Sequence, residues 1–118
     1  MQGEKKEDVV RQAMEKMTDA AFRHMTCAQI ESDAQRAGVE LNWKNTDDLE
    51  SIQMDLREVL SDTEKKQPQA FFQWMYLLDV PERAFSHSMQ ADPSMHQLAI
   101  IVVQRAAFKV FFRTHWKG

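Results

Sequence analysis

LAIIVVQRAAFKVFFRTHWKG, residues 98–118, is crowded with apolar side chains, carries four cations and has no acid. The β-branched run LAIIVV alone suits a strand as well as a buried helix. The uninterrupted continuation to Trp116 decides for a helix, expected from about Pro93 to His115. On that helix Arg105, Lys109 and Arg113 recur at i, i+4 and i+8 and stack into a basic ridge roughly 80° wide. Ile100, Ile101, Val103, Phe108, Val110, Phe111 and Phe112 occupy most of the remaining circumference. A helix so nearly apolar all round belongs inside a protein, exposing only its ridge. Cations gathered toward its C-terminus also complement the helix dipole.

Two other uses of this stretch are weaker. No window of the chain approaches the roughly 20 apolar residues that span a bilayer. A helix lying on a membrane needs a broad polar face, and here the polar face is a thin line. Nucleic-acid binding through Arg105, Lys109 and Arg113 is the weaker alternative function. Four cations are few on a chain of net charge −3. A recognition helix, moreover, reads bases with its N-terminal residues, and those would be Ser94, Met95, His96 and Gln97.

The charge is unevenly placed. Residues 1–92 hold all 18 acids against eleven cations, a balance of −7, while residues 93–118 hold four cations, Lys117 included, and no acid. Acidic and basic parts of one chain most often attract each other on folding, so the ridge is expected to find its counter-charges internally.

Working toward the N-terminus, Asp92 and Pro93 read as cap and first residue of the last helix. A short helix PERAFSHSMQ precedes it, opened by Asp79 and Glu82 at capping-box spacing across Pro81. Before that, QAFFQWMYLLDV follows Pro68 and is apolar almost all round, with Gln73 as its polar interruption. Leu49, Ile52, Leu56, Val59 and Leu60 fall on one face of another helix, with Asp48, Asp55, Arg57, Glu58 and Asp62 mostly opposite. Asp47 and Glu50 are its expected capping box. Val39, Leu41 and Trp43 alternate in the connection GVELNWKNT, too briefly to establish a strand. From about Asp8 to Ala37 there is no Gly or Pro. Val10, Ala13, Met14, Met17, Ala20, Ala21, His24, Cys27, Ala28 and Ala34 form one stripe of a long helix ended by Gly38, with Thr26 as the weakest point.

The expectation is an all-α, single-domain bundle of four to five helices over residues 1–118, with a largely buried C-terminal helix and residues 1–7 frayed. One domain is what this length allows. A single cysteine excludes an intramolecular disulfide and a cysteine-built zinc site within one chain. MQGEKKEDVV lacks the apolar stretch of a secretory signal, which makes a cytoplasmic location the default.

Chemistry is sparse. His24, Cys27 and Glu31, at i, i+3 and i+7, share a helix face and form a weak metal-ligand candidate. The plainer reading makes His24 and Cys27 packing residues. His87, His96 and His115 lack the Glu-x-x-His pairing of di-iron bundles. The Asp92–His96 spacing is explained by a helix cap. No catalytic motif and no phosphate-cradling glycine loop occurs, so no enzyme activity and no cofactor are expected.

Two largely apolar helices are a great deal for one small bundle to cover. That surplus points to a protein–protein interaction or adaptor module that self-associates, as a homodimer, or binds another protein. The candidate interface is Phe71, Trp74, Met75, Leu78, Phe108, Phe111, Phe112 and Trp116, with the ridge cations at its rim. The alternative is a protein, or an enzyme without a familiar motif, that binds an apolar small molecule between helices. The aromatic cluster Phe71, Phe72, Trp74 and Tyr76 would then line the pocket.

Overall fold

The computed structural model describes residues 2–91 and 94–115, with side chains described over 8–86 and 94–115. Among them are six α-helices and no strand: α1 (Gln2–Glu15), α2 (Ala20–Ala37), α3 (Leu49–Lys66), α4 (Pro68–Leu77), α5 (Glu82–Ala91) and α6 (His96–His115). Asp92, Pro93 and Trp116 lie outside the described residues, as do the side chains of residues 1–7 and His87.

The sixth helix arises because the long helix expected over Asp8–Ala37 is two. A single turn of 3₁₀ helix, Lys16–Thr18, separates α1 from α2. Asp19 then takes an extended conformation, and its Oδ2 accepts the Phe22 amide at 2.9 Å. Thr18 donates its hydroxyl to the Glu15 carbonyl at 3.2 Å. Thr and Asp here offer the backbone local partners that compete with the helical ladder. The break therefore falls at 16–19 and not near Thr26, which lies within α2 and donates its hydroxyl to the Phe22 carbonyl at 3.0 Å. Arg23 seals the break by donating to the Met17 carbonyl at 3.0 Å and to the Thr46 carbonyl at 2.9 Å.

Gly38 ends α2 as expected, at φ +82°. Bonds from Gly38 N to Gln35 O (3.1 Å) and from Val39 N to Ala34 O (2.8 Å) complete the left-handed cap. The following connection buries Val39 and Leu41 without forming a strand. It is held by Asp55, whose Oδ2 accepts the amides of Lys44 (2.8 Å) and Asn45 (3.2 Å). Asp55 thus leaves the polar face assigned to it and becomes a buried acceptor. The cap of α3 is Asp48, one residue later than expected; its Oδ1 accepts the Ser51 amide at 2.8 Å.

Pro68 opens α4 as its ring allows. Asp79, however, does not cap the next helix. It closes the previous one at φ +62°, with Asp79 N bonded to Tyr76 O and Val80 N to Met75 O, both at 3.0 Å. This is the bond pattern seen at Gly38, with an Asp in the left-handed position. The Pro81 carbonyl starts α5, accepting the amides of Ala84 (2.9 Å) and Phe85 (3.3 Å).

α6 runs through the middle, packed against α1, α2, α3 and α5. From Leu98 to Phe111 no residue is exposed, and Leu98, Ala99, Val102, Val103, Ala106, Ala107 and Val110 are fully buried. Alanine and valine at these positions let neighbouring helices approach closely. The other apolar helix, α4, packs against α2, α3 and α5. The two apolar helices thus share α2 and α3 as walls. Trp74, fully buried on α4, donates its Nε1–H to the Ile30 carbonyl of α2 at 3.3 Å. No helix among the described residues is long and apolar enough to cross a membrane.

Candidate functional site

The basic ridge meets the interior of the fold chiefly through Lys109. Lys109 donates Nζ to the Leu77 carbonyl at 2.6 Å and lies 3.4 Å from Asp33 Oδ2 and 4.0 Å from Asp79 Oδ2. Asp33 is 1% exposed and also receives Gln29 Nε2 at 3.1 Å, with Arg36 at 3.6 Å. Arg113 donates to Gln29 Oε1 at 2.7 Å. Arg105 is half-buried, its guanidinium 5.4 Å from the centre of the Phe108 ring. Lys109 and Arg113 therefore tie α6 to α2, and Lys109 ties it also to the turn after α4; of the three, Lys109 meets carboxylates, Arg113 a neutral amide and Arg105 a ring of its own helix. A cleft of about 390 Å³ beside these contacts is lined by Gln29, Asp79, Phe108, Lys109, Phe112 and Arg113.

The three metal-ligand candidates are not brought together. His24 is exposed, Cys27 is buried and Glu31 is half-buried. No group of three or more His, Cys, Asp or Glu among the described residues could hold a metal ion. Burial pushes the Cys27 thiol up to about 11, against the lowering effect of Arg23 and with smaller raising contributions from Glu31 and Asp55. A thiol so placed stays protonated at neutral pH, whereas a metal ligand must be a thiolate.

The candidate interface divides in two. Phe71, Trp74, Met75 and Leu78 are each 0% exposed and form the core, so they present nothing to a partner. Phe108 and Phe111 are half-buried and Phe112 is exposed, while Trp116 lies outside the described residues. Phe112 belongs to the Lys109 cleft.

The opposite face of α4 carries the exposed aromatics. Tyr76 is 74% exposed and Phe72 47%. With Val80, Glu82 and Phe85 they line a cleft of about 280 Å³ between α4 and α5. Phe85 and Val80, nearly buried, make its floor. Phe72 leans on Phe85 with ring centres 5.5 Å apart, and Phe71 meets Phe85 edge-on from the core at 5.8 Å. The floor is therefore fixed from behind, while Phe72 and Tyr76 stand in solvent as walls. Sequence reasoning placed Phe72 and Tyr76 in an aromatic cluster but chose the buried face of α4 as the contact surface. Gln69 and Gln73 hold the signal that separates the faces. They fall beside Phe72 and Tyr76 at helical spacing, and all four are exposed.

Two further grooves flank α3. One is lined by Arg57, Glu58, Ser61, Asp62, Lys65 and Ser94, the other by Val39, Glu40, Glu58, Val59, Asp62, Thr63 and Gln67. Among the described residues their linings hold no histidine, cysteine or aromatic ring. No family model, curated protein or solved structure matches this chain.

Proposed function

We propose that the protein works by non-covalent recognition of another protein, with the α4–α5 cleft as its contact face and no chemistry of its own. One observation carries this reading: Phe72 and Tyr76 stand exposed around a concave floor made by buried Phe85 and Val80. Aromatic side chains that fit or form such pockets dominate the energetics of many interfaces, because they bury a large rigid area at low entropic cost. The cleft is an anchor point; a stable complex buries roughly 800 Å² on each partner, so the exposed row of α4 would be covered with it. The apolar surplus that favours a homodimer is mostly absorbed into the core, where Phe71, Trp74, Met75 and Leu78 are fully buried. Self-association through the cleft is thereby the second outcome. A small apolar ligand is a weaker occupant, since the cleft leaves Tyr76 largely in solvent.

Site-specific photo-crosslinking in the native host tests the proposal. A crosslinker at position 76 should give one discrete adduct, and one at position 35, on the exposed side of α2, should give none. An adduct of two copies of the chain identifies the homodimer. Equal labelling at both positions, or none at 76, overturns the proposal.

A further inference from the structure

We infer that the group seated in the α4–α5 cleft is an ammonium: a lysine side chain, methylated or not, carried by the partner protein. This deepens the proposed contact reading and rests on it. The cleft presents three aromatic rings, Phe72, Tyr76 and Phe85, and a single charged side chain among its described lining residues, Glu82. Aromatic faces carry partial negative charge and attract a cation placed over them, and a carboxylate beside them adds a full charge of the same sign. An apolar side chain entering the cleft would use the rings but gain nothing from the exposed carboxylate of Glu82 beside them. A lysine-type side chain uses both. Its aliphatic stem lies along Phe85 and Val80, which are 5% and 4% exposed, while its head reaches the rings and Glu82. An acidic group has no counter-charge there, since no cation lines the cleft among the described residues. Attachment to a protein is favoured over a free cation because the cleft continues into the exposed α4 row. Gln69 and Gln73 stand there as amide donors and acceptors for a bound backbone.

The test is NMR titration of the ¹⁵N-labelled full chain with four probes: N-acetyl-lysine methylamide, its trimethyl-lysine and norleucine counterparts, and choline. Both lysine probes are expected to shift the amides of Gln73, Tyr76 and Glu82. At least one of them should bind about tenfold more tightly than norleucine, the same stem without the charge. Glu82→Gln should narrow that preference while leaving the weak norleucine response in place. Norleucine binding as well as the cations would overturn the ammonium site but leave the protein-contact reading standing, as an apolar anchor. Choline binding without the lysine probes would overturn both, in favour of a free organic cation. If no probe shifts these amides the ammonium site is overturned, and the crosslinking result judges the contact face by itself.

Discussion

Gly38 and Asp79 occupy the same left-handed position at the ends of α2 and α4, at φ +82° and +62°. A Cβ at Gly38 would meet no atom within 4 Å, so the cost of a side chain there is conformational alone. Gly38→Ala is expected to destabilise the fold by about 1 kcal/mol, read as a lowered chemical-denaturation midpoint. Cys27 makes a second prediction. Its folded thiol titrates at about 11 against an ordinary value of 9.0, so above pH 9 the unfolded chain loses this proton first. The contribution of Cys27 to stability is complete below pH 9 and falls away as the pH rises toward 11. The stability gap between wild type and Cys27→Ala should therefore narrow over that window, and a gap independent of pH would contradict it. Asp48 has the opposite sign. The Ser51 backbone amide, then its hydroxyl, hold its carboxyl below the ordinary range, so its contribution is lost as pH falls through the lowered value. Asp48→Asn keeps an acceptor at the cap. It should lessen the loss of stability seen in thermal melts as the pH is lowered from neutral.

At the scale of elements, the decisive contact is the one joining α6 to α2 and the turn after α4. Lys109 neutralises an almost fully buried Asp33 and also satisfies the Leu77 carbonyl. Removing one partner of such a pair strands the other in a poorly solvated site. Lys109→Met is expected to cost about 1–3 kcal/mol, a range reduced from that of a fully buried pair because Lys109 keeps 27% exposure. Combining it with Asp33→Leu should recover part of the loss in a double-mutant cycle, and strict additivity would deny the coupling. The cations were legible in the sequence as a ridge at i, i+4 and i+8. Their acceptors were not, because Asp33 lies 76 positions from Lys109 and no periodicity links them. Asp79 was misassigned for a related reason: Asp suits both an N-cap and a left-handed helix end, and only the bonds of Asp79 and Val80 to α4 separate the two.

At the scale of the molecule, the exposed walls of the cleft contribute less to stability than the core beneath them. Replacing both Phe72 and Tyr76 with Ser should change the denaturation midpoint far less than Phe71→Ala, for which truncation in a fully buried site costs about 3–5 kcal/mol. A comparable loss from the surface pair would assign them to the core instead of to a contact face. The all-α architecture, four to five helical segments and the ends at Gly38 and Pro68 follow from periodicity, proline placement and the scarcity of glycine, which act within a turn or two of chain; the division of the first segment at 16–19 does not. The buried course of α6 follows as well, since a helix apolar nearly all round has no stable place in water. What local pattern cannot rank is two apolar faces of the same helix. On α4 both faces carry aromatics, and only the positions of α2, α3 and α5 bury Phe71 and Trp74 while leaving Phe72 and Tyr76 in solvent. The sequence by itself determined that α4 and α6 had to be covered; the tertiary structure decided which side chains stayed outside, because burial depends on neighbours brought from distant parts of the chain.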